Sequence, residues 1–444
     1  LSVIGGGLWW AFDRRYRPPK PLDVGSLDQA LQMDSTMPLS FDDTDVVIAI
    51  ICTFRRDRLS VYGHDRETTP FLDKLGAHGV VMDMHFSQAP WTRPSVGSIV
   101  TGRWPRALQV DLPGEGNPLE MVMGEEHTLL AEVFAERGYH TVGAIANPNA
   151  LRRFGFAQGF SNYREPERAW AEGGTYLYDA NLVEHVIDYA DGLDDDERLY
   201  ARLLMITTHT PRDVTDDDIA QFADGQPARL AEYDAAAYNL DLYLAELYTA
   251  LKARRPNLLF VVAADHGEGL FFPRHHGPGH GNFLYQTALR VPWIVQHPSL
   301  PAGRRVDGFT MNIDVHPTVL GLLGAAAAHR VDGRDQSAVI RGETDNTGHE
   351  RVFAETFFRD VDKATLFERD YHLVKDYGSG SVRQFRFKDW RASRAMKTSP
   401  RRVEQEQALD AWRTEQSALV TAPGQTAPLD ENTRSQLEVM GYLE

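Results

Sequence analysis

Four residues or residue pairs that could bind a metal or a substrate each follow a run of apolar residues. They are Cys52 after residues 46–51, Asn147 after 140–146, His209 after 203–208 and Asp265-His266 after 258–264. Apolar, β-branched runs of this length are typical of strands buried on both faces of a parallel sheet. Asp and Asn also begin turns, so one such strand end would mean little. Because ligands bind beyond the carboxyl ends of parallel strands, four of them predict one polar site at that edge.

Thr92 is a further candidate because it lies just before a predicted short helix. Pro94 suits the first turn of that helix, and Gly102 suits its end. Thr is a common helix cap, and the segment on its own favours that role. The N-terminal end of a helix also favours an anionic ester or a developing oxyanion, so a hydroxyl there could be a nucleophile. The rest of the chain favours the nucleophile.

A metal site is predicted where Cys52, Thr92, Asp265 and His266 meet, because they offer one sulfur, two oxygens and one nitrogen. A divalent ion bound there would make the Thr92 hydroxyl more acidic and polarise a phosphoryl oxygen. A cysteine thiolate favours zinc or manganese over calcium or magnesium in this prediction. Spacing alone favours the alternative for Cys52, an inert buried thiol, which is the usual state of a lone cysteine.

Residues 267–290 form an irregular segment rich in Gly, Pro and His, which includes His276 and His280. An irregular loop that follows a core strand is more often functional than not. Both histidines are therefore candidates for the same site.

Helical patterns alternate with the apolar runs, so we predict a largely parallel sheet covered by helices on both faces. The predicted helices span residues 69–75, 129–137, 230–251 and 314–323. From about residue 350 the runs are short and alternate polar with apolar residues, which indicates a small antiparallel sheet. The domain prediction has three parts: an N-terminal apolar segment and linker (1–45), a catalytic domain (46–345) and a C-terminal subdomain (346–444).

Composition narrows the classes of ligand. The chain has 444 residues and a formal net charge of −17, which argues against a nucleic-acid partner. An acidic protein also repels phosphate at long range, so any anion site must be made positive locally by a metal, a helix end or arginine. The one cysteine excludes an internal disulfide and does not identify the compartment.

The first twelve residues are apolar and are followed by a basic stretch. They resemble the tail of a removed signal or of a membrane anchor, although they are too short to span a bilayer. We therefore expect an extracytoplasmic protein, periplasmic or tethered to a membrane by its N-terminus. A surface helix or an ordered arm is an equally good interpretation of the apolar segment. The oligomeric state is left open.

Several motifs taken together resemble the sulfatases of the alkaline phosphatase superfamily, especially the bacterial membrane-anchored or exported branch. They are Cys52-Thr53-Phe54-Arg55, Tyr62-Gly63, Thr69-Pro70-Phe71-Leu72-Asp73, Thr92-Arg93-Pro94-Ser95, Val100-Thr101-Gly102, Asp265-His266-Gly267-Glu268, Gly279-His280-Gly281, Arg290-Val291-Pro292, Asp314-Val315-His316-Pro317-Thr318 and the terminal Met440-Gly441-Tyr442-Leu443. The resemblance covers residues 45–444.

The resemblance implies a three-layer α/β/α sandwich with a largely parallel mixed sheet and a small C-terminal α+β subdomain. It implies metal-assisted hydrolysis or transfer of a phosphate, phosphonate or sulfate ester through a covalent intermediate, on a small-molecule, lipid or glycan substrate. The implied roles are these: Thr92 is the nucleophile, Asp265 and His266 are metal ligands, His209 and His280 assist catalysis at the substrate or leaving group, and Arg93, Asn147 and His276 bind substrate.

Two departures from the family pattern bear on the reaction. True sulfatases convert a Cys or Ser to formylglycine in a motif with a following arginine. Here the residues are Thr92 and Val96, so no formylglycine is expected and phosphoryl chemistry is favoured. In addition, Cys52 stands where the family has a metal-binding Asp. A degenerate, non-catalytic sulfatase-like protein is therefore the alternative.

Overall fold

The computed structural model describes residues 17–32, 36–112, 117–166, 178–271, 277, 279–392, 394–397, 401–420 and 424–443. The apolar segment 1–12 and His276 lie outside these residues, so the tether and the role of His276 stay predictions. Within the described ranges, no helix is long and apolar enough to cross a bilayer.

An eight-stranded sheet forms the centre of the protein, in the spatial order β5-β4-β6-β1-β7-β8-β2-β9. Its strands are β1 (Asp45–Ile51), β2 (Val80–Phe86), β4 (His140–Ile145), β5 (Asn162–Arg164), β6 (Leu199–Met205), β7 (Leu258–Ala264), β8 (Trp293–Gln296) and β9 (Arg304–Met311), with β3 (Met121–Val122) lying apart. Neighbouring strands are parallel, except that β8 runs antiparallel to both β7 and β2.

Helices cover both faces of this sheet, because alternate residues of each central strand point to opposite sides. In β1, Val47 and Ala49 join one apolar cluster, whereas Val46 and Ile48 join another on the opposite face. The first cluster takes in α2 (Pro70–Ala77), α6 (Asp179–Asp191) and α8 (Ala228–Arg254), and the second takes in α3 (Thr92–Thr101), α5 (Leu130–Ala135) and α10 (Val315–Leu322). The three-layer α/β/α prediction is confirmed.

The C-terminal part builds the predicted small antiparallel sheet. Its strands are β10 (Val352–Thr356), β11 (Lys363–Phe367), β12 (Tyr371–Asp376) and β13 (Val382–Arg386), in that spatial order. Helix α12 (Arg402–Ser417) packs on it through Leu409 and Trp412. The chain then pairs β14 (Gln425–Thr426) with β3 and ends in α13 (Glu431–Val439). The remaining short helices are α1 (Val24–Leu31), α4 (Pro105–Leu108), α7 (Asp216–Ala220), α9 (Gln286–Leu289) and α11 (Ser337–Ile340).

Three local predictions differ from the structure. The predicted N-terminal linker contains α1, whose Leu27 is buried in the core against the helical layer. Helix α3 begins at Thr92 itself with Trp91 as its N-cap, so Thr92 is not the cap residue. The apolar run predicted a strand over residues 203–208, whereas β6 spans Leu199–Met205. The strand begins earlier than predicted because it includes Arg202, whose side chain is buried. The Arg202 guanidinium donates to Phe156 O at 2.7 Å.

Candidate active site

The structure brings Cys52, Thr92, Asp265 and His266 together at the carboxyl edge of the main sheet. Cys52 directly follows β1, and the Asp265-His266 pair directly follows β7, the neighbouring strand. Thr92 opens α3 beside these strand ends. All four side chains are fully buried. The residues predicted to hold a metal therefore meet in the fold, as the parallel-sheet argument requires.

Ligand atoms in this cluster lie at distances suited to a single small cation. The Thr92 Oγ1 atom is 3.4 Å from Cys52 Sγ and 3.3 Å from His266 Nε2. Cys52 Sγ and His266 Nε2 are 3.9 Å apart, and His266 Nε2 is 3.5 Å from Asp265 Oδ2. Zinc bonds of about 2.0–2.3 Å would span such separations in a tetrahedral set.

Backbone contacts hold the ligand atoms in position. His266 Nδ1 donates to the carbonyl of Gly267 at 2.8 Å, so its Nε2 lone pair faces Cys52 and Thr92. Asp265 Oδ1 accepts from the N–H groups of His266 at 2.6 Å and Thr53 at 3.2 Å. Thr53 adopts a left-handed backbone conformation (φ 59°), which is uncommon for a β-branched residue.

The second carboxylate oxygen of Asp265 is buried and has no hydrogen-bond partner among the described residues. An unpaired buried carboxylate oxygen is costly, and a cation would satisfy it. Burial also raises the pKa of Asp265 to about 7 and raises the pKa of the Cys52 thiol well above its usual value. Burial lowers the pKa of His266 well below its usual value, which keeps it neutral. The donor set therefore fits a divalent ion, whose charge would favour the ionised forms of Cys52 and Asp265.

Asn147 lies next to Thr92, where the sequence predicts a substrate contact. Its Oδ1 accepts from the backbone N–H of Asn149 at 2.9 Å, and this contact orients the amide group. The Nδ2 group therefore points to Thr92 Oγ1 at 3.3 Å and to Cys52 Sγ at 3.4 Å. A fixed N–H donor beside the nucleophile candidate can bind an ester oxygen.

His209 is held by a loop that Asp179 anchors. The Asp179 carboxylate, at the start of α6, accepts from the N–H groups of Ile206 and Thr207 at 2.8–3.0 Å. His209 Nδ1 donates to the carbonyl of Thr210 at 2.6 Å, and its buried Nε2 has no protein partner among the described residues. Burial lowers the pKa of His209 to about 3. His209 is therefore a neutral imidazole with a free acceptor nitrogen.

His280 completes the histidine group and is paired with Glu268. Its ring centre is 4.5 Å from that of His266 and 5.2 Å from that of His209. His280 Nδ1 lies 3.7 Å from Glu268 Oε2. Burial alone would raise the pKa of Glu268, but the neighbouring His280 lowers it to about 2. Glu268 is therefore a negatively charged neighbour of His280 within the histidine group.

Arg93 does not approach Thr92 through its described contacts. Its guanidinium donates to the carbonyls of Pro118 at 3.0 Å and Met121 at 2.9 Å. It also lies over the Phe154 ring at 3.7 Å. These contacts fasten α3 to segments that follow it in the chain, so they give no support to the predicted substrate contact of Arg93.

Tyr442 is the site residue that sequence reasoning missed. Its hydroxyl lies 2.8 Å from Thr92 Oγ1 and 3.3 Å from Asn147 Nδ2, and its ring stacks on His209. Burial raises the pKa of Tyr442 well above its usual value. The signal was present in the terminal Met440-Gly441-Tyr442-Leu443, which the resemblance covered without assigning a role to it.

The sequence is similar to known sulfatases. The sequence model of the sulfatase family matches residues 44–325. The chain is 21% identical over 341 residues to the ulvan-active sulfatase of Formosa agariphila, covering 67% of this chain and 65% of that protein. It is 22% identical over 345 residues to the endo-4-O-sulfatase of Bacteroides thetaiotaomicron, covering 63% and 67%. The chain thus spans about two thirds of the length of these relatives.

Solved structures share the fold at low identity. A 2-O GAG sulfatase superposes with a TM-score of 0.68 at 17% identity, covering 89% of this chain and 96% of that one. A phosphonate monoester hydrolase from Silicibacter pomeroyi superposes with a TM-score of 0.65 at 18% identity, covering 87% and 99%. The chain belongs to the sulfatase family of hydrolases, with the alkaline-phosphatase-like fold.

Proposed function

We propose that this protein is a metal-dependent ester hydrolase in which Thr92 attacks the substrate and forms a covalent intermediate. The observation that carries the proposal is the position of Thr92 Oγ1, within 3.4 Å of both Cys52 Sγ and His266 Nε2. A hydroxyl at a helix N-terminus beside a sulfur, oxygen and nitrogen donor set is placed for nucleophilic attack rather than for helix capping.

Cys52, Asp265 and His266 would hold the divalent ion, with the Thr92 hydroxyl beside it. When bound, this ion supplies positive charge that makes the Thr92 hydroxyl more acidic and stabilises the oxygens of the ester group. Zinc or manganese fits the sulfur ligand better than calcium or magnesium.

The remaining side chains orient the ester and move protons. Asn147 Nδ2 donates to an ester oxygen, and the free Nε2 of His209 accepts a hydrogen bond or a proton. His280, with Glu268 at 3.7 Å, donates a proton to the leaving oxygen. The N-terminal end of α3 adds partial positive charge. Together these groups supply, inside a buried site, the hydrogen bonds that water would otherwise give to the ester.

Phosphoryl esters are the proposed substrates because the formylglycine route is closed to Thr92. A threonine cannot become the aldehyde, and Val96 stands in place of the motif's arginine. The phosphonate monoester hydrolase among the structural neighbours is consistent with this choice, whereas the sulfatases are the reason to test sulfate esters in parallel. The proposal covers small-molecule, lipid and glycan esters as substrates. It also covers transfer of the ester group to water (hydrolysis) or to another alcohol. An extracytoplasmic location belongs to the same proposal.

A non-catalytic role is the second candidate, and one observation favours it. Cys52 replaces the carboxylate expected at the metal site, and burial raises the pKa of its thiol well above the usual value. A protonated thiol is a poor ligand, so a site that never gains a metal would be inactive.

Four aryl substrates test the proposal: a phosphate monoester, a phosphodiester, a phosphonate ester and a sulfate ester. Turnover of each is measured with zinc or manganese added. The wild type is expected to cleave a phosphoryl ester. A wild type that cleaves only sulfate esters would overturn the phosphoryl preference. A wild type that cleaves none of the four, at full metal content, would leave the non-catalytic role as the better account.

A further inference from the structure

The C-terminal segment 430–443 places Tyr442 in the middle of the candidate site. Tyr442 is 2% exposed, and its hydroxyl lies 2.8 Å from Thr92 Oγ1. Its ring centre is 5.7 Å from His209, to which it is nearly parallel, and 5.3 Å from His280. Its hydroxyl also lies 3.3 Å from Asn147 Nδ2. Tyr442 therefore touches Thr92 and each of the three side chains proposed above to handle the ester.

This position conflicts with the approach of a substrate. A phosphorus or sulfur atom must come within about 3–3.5 Å of the nucleophilic oxygen before it reacts. The phenolic oxygen of Tyr442 already occupies a place 2.8 Å from that oxygen, on the side where Asn147 lies. Thr92 and Asn147 are themselves fully buried. An ester group can reach Thr92 only after Tyr442 has moved.

The segment is attached in a way that permits such movement. In α13 three side chains are buried, three are half-buried and three are exposed, the buried ones being Thr433, Gln436 and Leu437. Its start is tied to Arg153, which pairs with Asp430 and donates to Thr433 Oγ1.

The last turn before Tyr442 is held by the buried Met440, which joins the main apolar cluster together with Leu437, and by one exposed side chain. Arg359 Nη2 donates to the carbonyl of Gly441 at 2.7 Å. A short helix with one exposed face and few buried side chains opens locally at a lower free-energy cost than the central sheet does.

We propose that segment 430–443 is an autoinhibitory strap. In the closed state Tyr442 occupies the ester position, and substrate binds after the strap has left. The occlusion itself rests only on the contacts of Tyr442, whereas its effect on turnover rests on the proposed function. A catalytic role for the Tyr442 hydroxyl is the opposing account, and the test below separates the two.

Cys52 gives a readout of the strap that does not depend on activity. It is the one cysteine of the chain, it is fully buried, and it lies 3.4 Å from Thr92. The rate of its alkylation by N-ethylmaleimide, followed by intact mass with and without a chelator, reports how often the strap opens.

Three variants and a control make this measurement decisive. Tyr442→Ala is expected to speed alkylation about tenfold or more, since it removes the side chain that covers the site. Arg359→Ala, which leaves the core intact, is expected to speed it several-fold. Tyr442→Phe keeps the ring and is expected to alkylate about as slowly as the wild type. Glu438→Ala, on the exposed face of α13, is the matched control and should not change the rate. Equal rates in the wild type, Tyr442→Ala and Arg359→Ala would overturn the strap.

The same variants assayed on a phosphate ester address the opposing account. If segment 430–443 is an autoinhibitory strap, Tyr442→Phe keeps or raises turnover, and Arg359→Ala lowers KM. A loss of about a hundredfold in kcat for Tyr442→Phe, with alkylation unchanged, would overturn the strap in favour of a catalytic hydroxyl. Faster alkylation in a protein that never turns over an ester would support the strap and count against the proposed function, so the two failures are distinguishable.

Discussion

The pH dependence of metal affinity tests whether Cys52 is a ligand. A thiol must lose its proton to bind a metal, so each ligand protonated in the free protein makes affinity rise about tenfold per pH unit. The pKa of Cys52 is raised well above its usual value, that of Asp265 is raised to about 7, and that of His266 is lowered well below its usual value. The three ligands therefore release protons in different pH ranges.

These pKa shifts determine how steeply zinc affinity should change with pH. Between about pH 8 and 9 Asp265 is ionised and Cys52 is still a thiol, so zinc affinity should rise about tenfold per unit. Below about pH 7 both groups are protonated, so the slope should approach about a hundredfold per unit. His266 adds nothing in either range because it is already neutral.

Cys52→Asp removes the thiol and restores the carboxylate expected at this position. Its zinc affinity should rise less steeply than that of the wild type between about pH 8 and 9, because a carboxyl group loses its proton at a lower pH than a thiol in the same surroundings. Its preference should also shift towards magnesium, manganese and calcium, because a carboxylate is a harder ligand than a thiolate. Cys52→Ser is a control of similar size.

Competition with a chromophoric chelator measures the affinities, and titration calorimetry in buffers of different ionisation enthalpy counts the protons released. The wild type should release about one proton per zinc at pH 8.5, and Cys52→Asp should release fewer. A wild-type affinity that does not change between pH 8 and 9 would refute the reasoning, because Cys52 would then not be a ligand. An unchanged metal preference in Cys52→Asp would refute it as well.

Three further predictions concern the site and its support. Thr92→Ala should lower kcat by roughly a thousandfold or more while circular dichroism stays unchanged, and Thr92→Ser should retain activity, since only the nucleophilic hydroxyl matters. Burial raises the pKa of Asp179 to about 6, so its contribution to stability is full below about pH 4 and is lost as pH rises to about 6. The wild type should lose about 3 kcal/mol of unfolding free energy over that range relative to Asp179→Asn in urea titrations, and a parallel dependence in the two proteins would contradict this. Gly267→Ala should destabilise the protein by about 1–3 kcal/mol or more, because the added carbon would lie 2.0 Å from Thr287 O, whereas Gly192→Ala, with 3.5 Å of room, should be nearly neutral in the same thermal unfolding assay.

Much of the fold could be predicted from local pattern. The runs at β1 and β7 are apolar throughout because both faces of these strands are buried, and the predicted bounds match within a residue. The edge of the sheet at which Cys52, Asn147 and Asp265 meet follows from parallel topology. The strand β6 was predicted, but its bounds were wrong because a buried arginine breaks the apolar pattern, and the partners of that arginine, Phe156 and Tyr163, are far away in sequence.

The part of the site that could not be predicted depends on contacts between distant segments. Tyr442 lies 350 residues from Thr92 along the chain, and no periodicity relates the two. Arg93 is adjacent to Thr92 in sequence, yet the helical turn sends its guanidinium to the carbonyls of Pro118 and Met121. Motifs therefore predicted the residues that meet beside Thr92, whereas the direction of each side chain and the position of Tyr442 required the structure.

The central claim is that Thr92 attacks the ester, and the most direct measurement is to look for the ester group on that residue. The protein, loaded with zinc or manganese, would be mixed with an aryl phosphate, quenched in acid within milliseconds and digested for peptide mass spectrometry. The account predicts a phosphoryl group on the Thr92 hydroxyl that appears before steady state and disappears as substrate is consumed. Turnover of the aryl phosphate with no phosphoryl group on Thr92 at any quench time, or turnover by Thr92→Ala at the wild-type rate, would contradict it.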